Sequence, residues 1–395
     1  MEDHEAISRR VSELEPELIA LRRRLHRHPE PSWAEHQTTD ALMDELQRAG
    51  LTPVVAAPGT GAICDIGGGD DPMVAIRADI DALRMTDTKT AEYRSEVPGV
   101  CHACGHDVHT AAAVGAAIAL ADHLRASAQP GRLRLILQPG EEAVPGGAIG
   151  LTDAGVMSEV AVIFALHCDP SMDVGSIGVS EGSISSAADQ LSIRLKGSGG
   201  HTARPHHTAD LVHIASRVVV DLPAGLNRLS DPRDGVNLTF GSIHAGDAPN
   251  VIPTEATILG SLRAIGRPSW EAAPSIVRNL LAAIVEPLGA TWELDHRIGA
   301  PPILNDRWAV GLVERSGQAV LGPDGVGPTL QSTGGEDFSW YLEHAPGAYF
   351  RLGVRSPGAP TVDIHAGNFD VDERSIAVGA RVLAGAALEA LAELN

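Results

Sequence analysis

Apolar residues recur at Ile7, Val11, Leu14, Leu18, Leu21 and Leu25, a spacing of three and four that predicts an amphipathic helix ending near His28-Pro29. A second helix is predicted from about Glu35 to Ala49, stopped by Gly50 with Pro53 just beyond. The pattern then shifts to short apolar runs. Strands are predicted around 61–66 and 73–78, and Met73-Val74-Ala75-Ile76 is apolar at every position, as in a strand covered on both faces. An alanine-rich helix follows from about Thr110. Its apolar run, Ala111–Ala121, is too short to span a bilayer and reads as buried. Further strands are predicted at 132–137 and 160–166.

Three of these strands run into chemically capable residues: Arg77-Ala78-Asp79-Ile80-Asp81, Gln138-Pro139-Gly140-Glu141-Glu142 and His167-Cys168-Asp169-Pro170. Ligands of open α/β sheets bind beyond the carboxyl ends of the strands, so these tips are expected to converge. Between about 186 and 299 the order changes. A strand (190–195), a helix (210–222), two strands (235–243 and 255–264), a helix (269–287) and a strand (291–296) give the β-α-β-β-α-β order of a ferredoxin-like unit. Helix–strand alternation resumes afterwards and carries His365. The expected fold is a larger α/β domain, made of 1–185 and 300–395, into which a smaller α+β domain, 186–299, is inserted.

A chain of 395 residues with 44% apolar content can bury more than one core. The formal net charge of −21 argues against nucleic acid and anionic membrane as partners, since both repel an acidic surface. Four cysteines make no disulfide framework, and Met1-Glu2-Asp3-His4-Glu5 lacks the basic-then-apolar signature of a signal peptide, so a reducing cytoplasm is expected.

The densest chemistry lies in Val100-Cys101-His102-Ala103-Cys104-Gly105-His106-Asp107-Val108-His109. Thiolate and imidazole are the ligands that zinc and neighbouring divalent ions prefer, and Gly105 lets a tight loop aim Cys104 and His106 at one point. The Cys101-x-x-Cys104 spacing also suits a redox pair or half of a zinc ribbon, although no second such pair follows. Cys104, His106, Glu142, His167 and His365 together supply one thiolate, one carboxylate and three imidazoles, enough for two divalent ions with positions left open. Adjacent Glu141 and Glu142 repel each other unless a cation or a proton-transfer role offsets the repulsion. Zinc is the expected metal, with manganese, cobalt or nickel able to occupy the same ligands. His102 and His109 read as loop-packing or supporting residues, His26 and His28 as structural, and Cys64 as a core strand residue. Cys168 points away from its neighbour His167 if the strand continues. Trp33, Trp340 and Phe338 read as core or rim rather than as an aromatic clamp.

Cys-His-Ala-Cys-Gly-His-Asp-Val-His-Thr, Gln-Pro-Gly-Glu-Glu, Arg-Ala-Asp-Ile-Asp-Ala-Leu, Gly-Gly-His-Thr-Ala-Arg-Pro-His, Asn-Val-Ile-Pro and the Glu-Asp-Phe and His-x-x-x-Phe-Asp pieces resemble two-metal amidohydrolases. That family includes hippurate hydrolase and the plant auxin-conjugate hydrolases, and the likeness runs from His26 to Glu373. The resemblance implies metal ligands at Cys104, His106, Glu142, His167 and His365 and a general base at Glu141. Asp81 is counted with the catalytic residues, and Asp79 orients ligands from behind. It further implies an α/β zinc-peptidase-like catalytic domain with a central mixed sheet and an inserted ferredoxin-like α+β lid that makes a homodimer or a larger homo-oligomer, that His201 reaches a partner subunit's active site, and that Asn250 and Arg263 touch the substrate's carboxylate. The doubled His206-His207 leaves open which of the two meets substrate, with His206 the first choice. Cys101 stands where methionine is common, and Arg84 where proline is common. The implied activity is cleavage of an N-acyl or N-aroyl amino acid, a small-molecule substrate. A dipeptidase or an N-acetyl-diaminopimelate deacetylase on the same scaffold is the near alternative, and a catalytically silent metal-binding assembly protein the distant one.

Overall fold

The computed structural model describes residues 2–57, 59–127 and 129–395, which divide into two compact units. The first comprises Met1–Ile184, Leu304–Leu330 and Asp337–Asn395, and the second Ser185–Ile303 with Gln331–Glu336.

The first unit is built on an eight-stranded mixed sheet. Its strands lie in the order Val54–Val55, Ala62–Ile66, Arg132–Gln138, Met73–Asp79, Val160–Asp173, Gly347–Arg355, Ile177–Val179 and Val326–Pro328. The strand Met73–Asp79 is buried at every position and lies parallel to both neighbours, as its unbroken apolar run requires. Helices Glu2–Arg27, His106–Ser127, Arg307–Leu321 and Arg374–Leu394 pack together over the sheet, and their apolar stripes form one continuous core with it. Small residues allow the close approach: a Cβ on Gly115 would lie 2.5 Å from Leu18 Cδ1.

Two details differ from the sequence-based expectation, and a third was not foreseen. The alanine-rich helix begins at His106 rather than Thr110, because Gly105 at φ +88° turns the chain and its carbonyl accepts the N–H groups of Val108 and His109. The strand expected to stop at Leu166 continues to Asp173, although its pairing with Met73–Asp79 ends at Phe164, opposite Ile76. Among the described residues, Arg374–Leu394 is long and apolar enough to cross a membrane, but 83% of its apolar window is buried, which is the character of a core helix.

The second unit is an antiparallel sheet in the order Asn237–Ala245, Glu255–Arg263, Ala188–Lys196, Thr291–Ala300, with helices Leu211–Leu229 and Arg267–Val285. Strands alternate buried and exposed positions, and Leu191, Ile193 and Leu195 meet Ile214, Val218 and Val277 in a core of its own. It extends beyond the expected 186–299 because residues 331–336 return to it. Ser186 N donates to Gly334 O at 3.1 Å and Ser186 Oγ to Thr333 O at 2.6 Å.

Candidate metal centre

The site lies at the carboxyl ends of the sheet strands of the first unit. Cys104 sits in the loop ahead of the alanine-rich helix and His106 in that helix's first turn, one on each side of Gly105. His106 Nδ1 lies 2.9 Å from the Asp81 carbonyl oxygen and 3.3 Å from Asp81 Oδ1, which fixes the proton on that nitrogen. Its buried Nε2 has no hydrogen-bond partner. His167 Nδ1 donates to Cys168 O at 2.8 Å, which turns Nε2 toward Cys104 Sγ, 3.4 Å away. His365 holds a left-handed backbone, φ +59°, anchored by its N–H to Ala103 O at 2.7 Å, and its Nε2 lies 3.1 Å from Glu142 Oε1.

Among the described residues, three of the overlapping groups whose donor atoms lie within 4.8 Å of one another contain the expected ligands. They are Cys104–His106–His167, Cys104–Glu142–His365 and His106–Glu141–Glu142. The five side chains expected as ligands therefore converge, with the Cys104 thiol common to two of the groups and Glu141 beside them. The donor set of sulfur, imidazole nitrogen and carboxylate oxygen suits zinc and its neighbours, and the orphaned Nε2 of His106 is an atom that needs a partner of this kind.

Behind the donors runs a buried polar frame. Asp81 Oδ2 accepts from Ser32 Oγ at 2.7 Å and from the Glu142 N–H at 3.0 Å. Asp79 accepts from His109 Nδ1 at 2.7 Å and from Arg77 at 2.8 Å, and Arg77 reaches on to Gln138 and Asp337, both at 2.8 Å. His109 Nε2 accepts the Cys168 N–H at 2.9 Å, so this residue ties the helix carrying His106 to the strand carrying His167. Glu35, fully buried, accepts from the N–H of Gly140 at 2.8 Å, so the backbone on either side of Glu141 is held by a carboxylate. Sequence reasoning gave no individual role to Glu35, Ser32, Arg77 or Asp337, because each has a partner far along the chain; Arg77 and Asp337 stood inside motifs, and Arg77 was also a charge inside an apolar strand.

Burial pushes the Cys104 thiol up to about 12. Burial would lower His106, but the Asp79 carboxylate, the Cys104 sulfur and the bond to Asp81 hold it well above the usual imidazole range. Burial, then the neighbouring His109 and Arg351, hold His167 well below it. In the metal-free protein His106 and Cys104 thus both carry protons that a metal would displace.

The remaining expected residues belong to the second unit. His201 is exposed on the two-residue strand Gly200–His201, opposite Val251, and its Nδ1 accepts the Ala203 N–H at 3.0 Å. That bond leaves the proton on Nε2, where the ring is a donor. Asn250 adjoins it, its carbonyl accepting the Thr202 N–H at 3.3 Å. Arg263 ends the strand Glu255–Arg263, half-buried, with a buried Nη1 that has no hydrogen-bond partner. His206 and His207 are exposed in a short turn with ring centroids 4.0 Å apart. Cys64, Cys101 and Cys168 are buried free thiols, and Cys168 Sγ faces Gly105 O at 3.8 Å.

The fold and the site define an α/β protein with a clustered thiol, imidazole and carboxylate centre. Residues 75–389 match Peptidase family M20/M25/M40, and the chain belongs to this family. The N-acetyl-L-cysteine deacetylase of Bacillus subtilis (strain 168) is 35% identical over 372 residues, 93% of this chain and 86% of the relative. A Rhodococcus jostii (strain RHA1) protein bearing a glutamate–cysteine ligase name is 40% identical over 369 residues. The match takes in 93% of this chain but 46% of that protein, so the chain spans about half its length and the ligase name is said of a longer polypeptide. The crystal structure of the Bacillus subtilis YXEP protein, described as a dinuclear metal binding peptidase from the M20 family, superposes with a TM-score of 0.83. It is 31% identical, with 96% of this chain and 99% of that one covered.

Proposed function

We propose that the chain is a two-metal amidohydrolase that splits N-acyl or N-aroyl amino acids into a carboxylic acid and an amino acid. The observation that carries this reading is the Cys104 thiol shared by two donor groups, with Glu141 beside both glutamate and histidine donors. Cys104, His106, Glu142, His167 and His365 would hold the two ions, zinc first and manganese, cobalt or nickel otherwise. When bound, such ions would polarise a carbonyl oxygen and lower the pKa of water toward about 7.

Glu141 is the general base. Its carboxylate takes a proton from the attacking water and delivers it to the amide nitrogen as the C–N bond breaks, so that acid and free amine leave. Asp81 fixes Glu141's neighbour Glu142 through the backbone and sets the His106 tautomer, while Asp79 steadies Arg77 and His109. His201, with its Nε2–H donor, stabilises the developing oxyanion, and Arg263 with Asn250 takes the substrate carboxylate. His206 stands at the substrate end of the same unit. The second unit forms a homodimer in which His201 serves the partner's site. The cytoplasm is the compartment where the buried free thiols stay reduced.

The test is amine release from a panel of N-acylated amino acids, with metal content measured before and after chelation. Turnover that follows the metal supports the reading; turnover indifferent to chelator overturns it, and a strict preference for unblocked dipeptides would make the protein a dipeptidase.

A further inference from the structure

We propose that Trp33 is a specificity-determining residue whose indole receives the acyl group of the substrate and favours aromatic or extended apolar acyl groups over acetyl. This rests on the amidohydrolase reading above. Trp33 holds a left-handed backbone, φ +68°, which an aromatic residue keeps only where its surroundings over-determine it. Those surroundings are the supports of the candidate base. The Trp33 N–H donates to Glu35 Oε1 at 2.9 Å, and the Gly140 N–H donates to the same oxygen at 2.8 Å. Thr60 Oγ1 donates to the other oxygen at 2.9 Å. Ser32, one residue earlier, is bonded to Asp81.

The loop therefore lays the indole on Gly140, the residue before Glu141. A Cβ on Gly140 would lie 2.9 Å from Trp33 Cε2 and 3.0 Å from Cζ2, so any other residue there would displace the ring. Phe338, Tyr349 and Phe369 are fully buried, whereas Trp33 is 42% exposed. An indole with one side on the backbone and the rest open, next to the proton-transfer group, is a stacking platform.

The function proposed above gives the amino-acid carboxylate to Arg263 and Asn250, which leaves the neutral acyl half for the indole.

The test compares the metal-loaded full-length protein with Trp33→Gly, which suits the left-handed backbone, and with Trp33→Phe, on N-benzoyl and N-acetyl derivatives of one amino acid. Trp33→Gly is expected to lower the benzoyl-to-acetyl ratio of kcat/KM about tenfold, the size of one aromatic contact, and Trp33→Phe to keep most of it. An equal loss on both substrates makes the indole a mere cover for Gly140 and overturns the inference, as does a ratio unchanged within about twofold. Calorimetric binding of benzoate and acetate, the acid products, is measured on the same proteins. Wild type that turns over neither derivative defeats the amidohydrolase reading. The benzoate preference, lost or kept in Trp33→Gly, still decides the role of Trp33.

Discussion

At the scale of single residues, the two adjacent glutamates of the candidate centre have different partners. Glu142 Oε1 is committed to His365, whereas Glu141 belongs to the cluster through His106 and Glu142. Glu141→Gln preserves shape and removes the acceptor of the proton. It is expected to lower kcat at least about a hundredfold with metal content unchanged, as atomic absorption and a turnover assay would show. Cys104, pushed up to about 12, and His106, held above its usual range, must both deprotonate for a metal to bind. Below those values each displaced proton raises apparent metal affinity about tenfold per pH unit, so affinity should climb with pH. Titration with a chromophoric competitor at several pH values checks this, and a flat profile would contradict it. His109 holds both Asp79 and the Cys168 N–H. His109→Ala is expected to weaken metal binding by about 10–100-fold while leaving every proposed ligand in place.

Among elements, the first helix is fastened to the helix carrying His106 by buried charge. Arg22 Nε donates to Asp107 Oδ2 at 2.7 Å and its other nitrogens reach Asp370 and Glu373, while His26 Nδ1 lies 2.7 Å from the same Asp107 oxygen. Arg22→Met would leave Asp107 buried without its cation and is expected to cost about 3–5 kcal/mol in denaturant unfolding. Burial alone would raise the Asp107 carboxyl, but Arg22 and His26 hold it well below the usual range. Its contribution is complete above the unfolded value of about 3.9 and is lost as pH falls through the lower folded value. Acid unfolding should therefore set in below about pH 4, and Asp107→Asn should flatten that limb. The helices themselves were legible from spacing alone, since Ile7, Val11, Leu14, Leu18, Leu21 and Leu25 are all buried. The fastening was not, because Arg22 and Asp107 are 85 residues apart and nothing local marks them as a pair.

For the whole molecule, the two units are stabilised by separate cores, and the five candidate ligands belong to the first of them. Ions that bind only the folded state raise its stability by about 2.7 kcal/mol at a free concentration a hundred times Kd. Calorimetry with and without chelator should show the transition of the first unit, or the single one, move with metal. A melting profile blind to metal would remove the centre from the fold's stability. The C-terminal helix shows how composition alone misleads at this scale. Arg374–Leu394 has the length and apolarity of a membrane span, yet its faces meet the helices Glu2–Arg27, His106–Ser127 and Arg307–Leu321 in the interior.

By itself the sequence determined the elements and the chemistry each one carries, because helical and strand periodicity are local and because thiolate, imidazole and paired carboxylates announce themselves by type. The five ligand candidates and Glu141 could be named from their strand-end positions and from the motifs. The tertiary structure decided the rest. Only folding brings Glu35 to Gly140, Asp81 to Ser32 and Glu142, and residues 331–336 to Ser186, since each contact joins segments with no shared periodicity. Trp33 is the sharpest instance. A lone tryptophan in a polar loop reads as rim until the backbone places its ring on the glycine beside Glu141, because a side chain's role there depends on close approach rather than on spacing.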